Sequence, residues 1–280
     1  MARPYRSVLY IPAANVRAME KARDLPADAI IFDLEDAVAP DAKAHARQSL
    51  AGALAQDYGA RARIVRINAF ATEWGRDDAK ACAGLAADAV LVPKVDGPQD
   101  LDRVAEILPD TPLWAMMETP LGMLNAAAIA AHPRLRGMVM GTNDLAKELG
   151  SRTRSDRLPM MAGLGLCILA ARAHRRVIVD GVFNAFRDED GLRAECEQGR
   201  DMGFDGKTLI HPAQLEAANA VFAPTDAEVD LARRQLDAFD RAKAEGRGVA
   251  VVDGRIVENL HAATARLTLD RAQAIAALTQ

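Results

Sequence analysis

The sequence predicts an α/β fold, a closed (β/α)8 TIM barrel followed by a C-terminal helical extension. Three observations carry that expectation. Apolar runs of strand length alternate with amphipathic, alanine-rich segments, the pattern of βα units on a parallel sheet. The alternation repeats eight times before Pro224, the number that closes a barrel. The turn after the first run, Pro12-Ala13-Ala14-Asn15, holds no glycine, whereas an open doubly wound sheet normally carries a Gly-rich phosphate loop there.

Taken in order, strands are expected at Ser7 to Pro12, Ala29 to Glu35, Arg63 to Asn68, Ala89 to Pro93, Leu113 to Glu118, Gly137 to Gly141, Arg176 to Asp180 and Lys207 to His211. The fifth is the clearest. Leu113-Trp114-Ala115-Met116-Met117 is an uninterrupted apolar run that Glu118 and Pro120 stop, as in a strand buried on both faces. Helices are expected between the strands, Asp41 to Tyr58 and Met160 to Arg175 among them, from apolar stripes at helical spacing. Gly163-Leu164-Gly165 lies inside the latter and lacks a third glycine, so it is assigned to helix packing and not to a nucleotide loop. After Pro224 the pattern changes. Thr225-Asp226 opens a charged helix that Gly246-Arg247-Gly248 ends, a short apolar piece reaches the turn signal Asp253-Gly254, and an amphipathic helix follows from about Glu258. Residues 1–224 are therefore expected to form the barrel domain and 225–280 a lid and subunit-contact segment.

A chain of 280 residues that is 50% hydrophobic can bury one large core. Its 35 basic and 39 acidic residues are scattered and leave a net charge of −4, so no basic stripe is available and nucleic acid is not an expected partner. Cys82, Cys167 and Cys196 are widely spaced and odd in number, which fits reduced thiols better than a disulfide framework or a zinc knuckle. No apolar run approaches the ~20 residues that span a bilayer, and no h-region follows the N-terminus. A cytoplasmic protein with no membrane association is expected.

In a barrel the chemistry sits at the C-terminal ends of the strands. The polar groups expected there are Asp33, Glu35 and Asp36 after the second strand, Arg66 and Asn68 on the third, Lys94 after the fourth, Glu118 and Asp144 after the fifth and sixth, Asp180 on the seventh, and Lys207 and His211 on the eighth. Glu118 and Asp144 end consecutive apolar runs, and two carboxylates at one end of adjacent strands can share a hard cation. Mg2+ commonly uses only one or two protein carboxylates and leaves its other positions to water and substrate. Zinc would call for His or Cys, and the histidines His45, His132, His174, His211 and His261 never fall within one helical turn of each other. Arg66 can neutralise a substrate carboxylate or a developing oxyanion. Glu35, Asp36, Lys94 and Asp180 are read as orienting the groups that touch metal and substrate, with Lys94 and Lys207 equally able to pair with the acids or to reach substrate. His211, before Pro212, is read as structural.

Arg6-Ser7-Val8-Leu9-Tyr10-Ile11-Pro12, Phe32-Asp33-Leu34-Glu35-Asp36-Ala37-Val38, Val65-Arg66-Ile67-Asn68 and Val92-Pro93-Lys94 follow one another in an order that resembles citrate lyase β-subunits and malyl-CoA lyases, the CoA ester lyases of the HpcH/HpaI aldolase superfamily. Glu118-Thr119-Pro120, Gly141-Thr142-Asn143-Asp144-Leu145 and the stretch from Gly203 to Pro212 extend the resemblance over nearly the whole chain. It implies a modified TIM barrel with a C-terminal lid, Mg2+ held by Glu118 and Asp144, Arg66 as a catalytic group on the oxo-acid carboxylate and reacting oxygens, and Glu118 at the substrate as well. In malyl-CoA lyases an Asp before Gly in a neighbouring subunit's lid handles the proton on the thioester α-carbon, and Asp253 stands at that motif. The resemblance also implies a homo-oligomer, a trimer or hexamer. Two departures are visible: Pro12-Ala13 replaces the usual Pro-Gly, and Thr142-Asn143 replaces a small residue and Glu ahead of Asp144.

The expected activity is a reversible Claisen-type cleavage of a 3-hydroxy-3-carboxyacyl-CoA, such as malyl-CoA, β-methylmalyl-CoA or citramalyl-CoA, to an acyl-CoA and a 2-oxo acid. Three alternatives use the same site: a malyl-CoA thioesterase, a malate or citramalate synthase, and a lyase subunit acting on a carrier-protein thioester. A non-catalytic binding module has no need for strand-end carboxylates facing an arginine.

Overall fold

The computed structural model describes residues 3–278. Eight parallel strands, β1 (Ser7–Pro12), β2 (Ala29–Asp33), β3 (Ala62–Arg66), β4 (Ala89–Val92), β5 (Leu113–Met117), β6 (Leu135–Met140), β7 (Val177–Asp180) and β8 (Gly206–Leu209), pair in chain order and close into the expected barrel. The seam is the pairing of Ser7, Val8 and Leu9 with Lys207, Thr208 and Leu209. Gly206 makes that seam possible, since a Cβ there would lie 2.7 Å from the Arg6 Cα and closer still to the Tyr5 carbonyl oxygen.

Several strands end before the polar residues that sequence reading had included. β2 stops at Asp33 because that side chain folds over its own turn, its Oδ1 and Oδ2 accepting from the Glu35 and Ala37 N–H groups at 2.9 and 3.1 Å. Glu35 and Glu118 therefore stand on loops just beyond their strands. The two helices expected from periodicity are present as Lys43–Leu54, preceded by a 3-10 turn at Pro40–Ala42, and Met161–Ala173.

Alternate residues of seven strands, among them Val8, Ile31, Ile64, Leu91, Trp114, Met116, Val139 and Val179, pack into one buried cluster. In a closed barrel such a shared face is the interior. Two residues further along the same face come Tyr10 after Val8, Asp33 after Ile31, Arg66 after Ile64 and Glu118 after Met116, so strand parity alone delivers a polar ring to one mouth. The opposite parity faces outward. Asp180, next to Val179, and its register partner Lys207 belong to that outer face.

The barrel forms one compact unit, Tyr5–Ala220, and the chain from Val221 on belongs to a second. Within the second unit, helix Asp226–Ala244 and helix Asn259–Leu278 flank an antiparallel hairpin of β9 (Ala250–Val252) and β10 (Arg255–Val257), around a core of Phe239, Ala242, Ala250, Val257 and Ala262. The first helix starts in a capping box: the Thr225 Oγ1 accepts from the Glu228 N–H, and the Glu228 carboxylate accepts from the Thr225 N–H. Among the described residues no helix is long and apolar enough to cross a membrane.

Candidate active site

The barrel mouth holds two linked clusters. In the first, Arg66 is buried and Asp33 receives it on two parallel bonds, Nε to Oδ1 and Nη2 to Oδ2, both at 2.7 Å. Its remaining terminal nitrogen, Nη1, lies 3.1 Å from Glu35 Oε2 and 3.3 Å from Asp36 Oδ2. The guanidinium also stacks over the Tyr10 ring, 4.8 Å from its centroid. One cation thus serves three carboxylates. Asp33 takes most of it, so burial, opposed by Arg66 and reinforced by Asp36, Glu118 and Asp33, pushes the Glu35 carboxyl up to about 8.

The second cluster contains the two carboxylates expected to share a cation. Glu118 is 1% exposed and follows β5; the next residue, Thr119, caps the short helix Pro120–Leu124 by accepting from the Gly122 N–H at 3.0 Å. Asp144 lies in the first turn of helix Thr142–Glu148 after β6 and is partly exposed. Gly141, at the start of that turn, is packed so closely under Glu118 that a Cβ there would lie 2.6 Å from Glu118 Oε2. Lys94 touches both acids with different atoms. Its backbone N–H donates to Glu118 Oε1 at 2.7 Å, and its Nζ lies 3.1 Å from Asp144 Oδ1 and 3.8 Å from Glu118 Oε1. Burial works against the Lys94 charge, but Glu118 and Asp144 outweigh it and hold its pKa above the usual value. Burial raises the Glu118 pKa against the pull of Lys94.

Tyr10, Asp33, Asp36, Arg66, Gly141 and Asp144 line a common cavity of about 280 Å3, so the residues from β1, β2, β3 and β6 converge as strand order requires. The donor set between Glu118 and Asp144 fits a hard divalent cation. Both offer oxygens, they come from adjacent strand ends, and a cationic group of the chain itself already sits between them. Among the described residues no set of three or more His, Cys, Asp or Glu is placed to hold a metal, and a pair of carboxylates is within what Mg2+ commonly takes from a protein.

The profile of the HpcH/HpaI aldolase/citrate lyase family matches residues 6–212. The chain belongs to that family. Across 99% of this chain and 97% of the relative it is 71% identical to a (3S)-malyl-CoA thioesterase of Cereibacter sphaeroides. It is 37% identical to the citrate lyase subunit beta of Escherichia coli, over 97% and 94% of the two chains. Among solved structures it is similar to CitE of Mycobacterium tuberculosis in complex with magnesium, acetoacetate and coenzyme A, with a TM-score of 0.82 and 31% identity over 97% and 98% of the two chains.

Of the residues that sequence reading proposed for this family member's site, Arg66, Glu35, Asp36, Lys94, Glu118 and Asp144 are gathered at the mouth. Asp180 is engaged elsewhere. On the outer face of β7 it accepts from Arg157 Nη1 on both oxygens at 2.7 Å and pairs with Lys207 Nζ at 3.2 Å, while that ammonium also meets Glu195 at 2.6 Å. His211 accepts from the Ala213 N–H and stacks on Phe186. Asp253 lies in the second unit, on the turn between β9 and β10, where both its oxygens accept from Arg234 at 2.8 Å. Sequence reading missed Tyr10, whose aromatic ring in an apolar strand looks like core, although its spacing from Val8 puts it on the mouth side of the interior face. It also missed Arg157, which stands in a loop without periodicity.

Proposed function

We propose that this protein is a Mg2+-dependent (3S)-malyl-CoA thioesterase, releasing malate and free CoA. The observation that carries this reading is the 71% identity, over almost the full length of both chains, to a relative of that name, against 37% to the citrate lyase subunit beta. Carbon–carbon cleavage, the activity expected from sequence, thereby becomes the second reading.

In hydrolysis a water oxygen bonds to the thioester carbonyl carbon, the C–S bond breaks, and the proton taken from water ends on the departing thiolate. Glu118 and Asp144 would hold Mg2+, which when bound supplies Lewis-acid polarisation of an oxygen. Arg66 supplies a fixed positive charge at the mouth for the malyl carboxylate, and Asp33 holds the guanidinium plane through its paired bonds. A substrate carboxylate meeting Arg66 does so at Nη1, where Glu35 and Asp36 are the more loosely held partners. The barrel cavity of about 280 Å3 suits a small dicarboxylate portion and not a whole CoA thioester. In hydrolysis the proton to be handled is that of the attacking water, not one on the α-carbon, and we assign its removal to Asp253, exposed beside Arg234 and supplied by the lid of a second copy in a homo-oligomer, a trimer or hexamer. Asp253→Asn should then lower kcat while leaving Mg2+ binding unchanged, and unaltered turnover would remove the assignment.

The test is a Mg2+-dependent reaction of the purified protein with (3S)-malyl-CoA, following free thiol and trapping glyoxylate as a hydrazone. Free CoA with intact malate supports the thioesterase. Glyoxylate with acetyl-CoA and no free thiol overturns it in favour of the lyase.

A further inference from the structure

We propose that Lys94 is the resident cation of the carboxylate pair: its ammonium occupies the space between Glu118 and Asp144 in the metal-free protein and is expelled when a divalent ion enters. The inference rests on the reading of Glu118 and Asp144 as metal ligands.

The geometry gives Lys94 two separable roles. Its backbone N–H fixes Glu118 Oε1 from 2.7 Å, a contact that does not depend on the side chain. Its side chain then reaches Asp144 at 3.1 Å and comes within 3.8 Å of the same Glu118 oxygen. The residue adopts φ of 50°, in the left-handed region that glycine and asparagine tolerate better than lysine. The site therefore places a lysine at a strained position where its charge meets both acids.

Charge balance makes the ammonium and a divalent ion alternatives. Two carboxylates with no cation repel each other across a partly buried site. With the ammonium alone the pair is still negative; with a divalent ion alone it is neutral; with both it carries a net positive charge. The ammonium has somewhere to go. Lys94 also lines a second cavity of about 570 Å3, together with Asp96 and Asp100, whose carboxylates already accept from Thr119, from backbone N–H groups and from Arg103 but add negative charge on that side. Metal loading thus turns a half-exposed counter-ion away from the pair, and the chain keeps its carboxylates apart and oriented before the metal arrives.

The test uses Mn2+ as the probe, read by the loss of its free-ion EPR signal. Lys94→Asn, which keeps the backbone N–H and suits the left-handed conformation, should bind Mn2+ about two- to fivefold more tightly than wild type, the ratio expected for releasing a partly exposed ion pair. Lys94→Arg should bind like wild type. In the wild-type protein, amine-directed labelling read by mass spectrometry should become faster at Lys94 when Mn2+ is added, which tests the same displacement without a mutation. Wild-type binding that Glu118→Gln abolishes but Lys94→Asn leaves unchanged or weakens, with no change in Lys94 labelling, overturns this inference alone. No Mn2+ binding by wild type overturns the metal reading of the pair and this inference with it.

Discussion

Gly141→Ala tests whether the position of Glu118 controls the site. The Gly141 backbone, with φ of −101°, is open to alanine, so any effect comes from the added methyl group. That methyl would stand 2.6 Å from Glu118 Oε2 and nearer still to the Glu118 Cβ, both within the wall of the barrel mouth. Ordinary carbon contacts lie at ~3.5–4.0 Å, so Glu118 must retreat by about 1 Å. The retreat pulls Oε1 away from the Lys94 N–H, now 2.7 Å distant, and turns the carboxylate away from Asp144. Overpacking of this kind costs ~1–3 kcal/mol of stability, and a displacement of ~1 Å in a reacting group costs ~100-fold in rate. The expected result is a kcat/KM for malyl-CoA about a hundredfold lower, with Mn2+ binding weakened about tenfold and the fold retained. Gly165→Ala is the control. Nothing lies within 4 Å of the methyl it would add, and inside helix Met161–Ala173 it should raise stability by ~0.5–1 kcal/mol with activity unchanged. If Gly141→Ala keeps kcat/KM within about threefold of wild type, the claim that a single Glu118 position supports catalysis fails.

Arg66→Lys keeps the charge but loses the planar fork that Asp33 grips, and should lower kcat/KM at least ~100-fold with a smaller change in Tm; near-normal turnover would show that charge alone suffices. Glu35 makes stability pH-dependent in the metal-free protein. Its folded pKa of about 8 exceeds the ordinary 4.5, so the folded state keeps a proton that the unfolded state has lost, and stability falls as pH rises from 4.5 through about 8. Glu35→Gln should flatten that part of the denaturant-unfolding profile measured with chelator present; an unchanged slope would assign the pH dependence to other groups. Asp180→Asn leaves Arg157 and Lys207 as buried cations, both almost fully excluded from solvent, and should cost ~3–5 kcal/mol, or roughly 6–20 °C in Tm. Mn2+ affinity should stay within about threefold of wild type; a large loss of metal binding would bring Asp180 back to the mouth cluster.

The difference between Asp180 and Glu118 shows what could be read from the sequence and what could not. Both end an apolar run, and by composition they are equivalent. Register separates them: Glu118 lies two residues beyond Met116, on the face that packs inside the barrel, whereas Asp180 lies one residue beyond Val179 and so points outward. The apolar runs hide that parity, because a strand buried on both faces shows no polar alternation from which to read it. Tyr10 was missed for the same reason. Lys94 is a different case. Its place after β4 was legible, but its left-handed backbone, which lets one residue hold Glu118 by its N–H and Asp144 by its side chain, is a property of the turn and leaves no periodic trace. The barrel's division of labour follows from these two facts. Interior parity brings a buried Arg66 and a buried Glu118 to the mouth, the one held by Asp33 and the other met by Lys94, and exterior parity uses Asp180, Lys207 and Arg157 to tie β7 and β8 to the helix that carries Glu195. A substitution at either set disturbs buried charge. Only one at the interior set should change what the protein binds, and for that reason metal affinity, more than stability, separates the site from its scaffold.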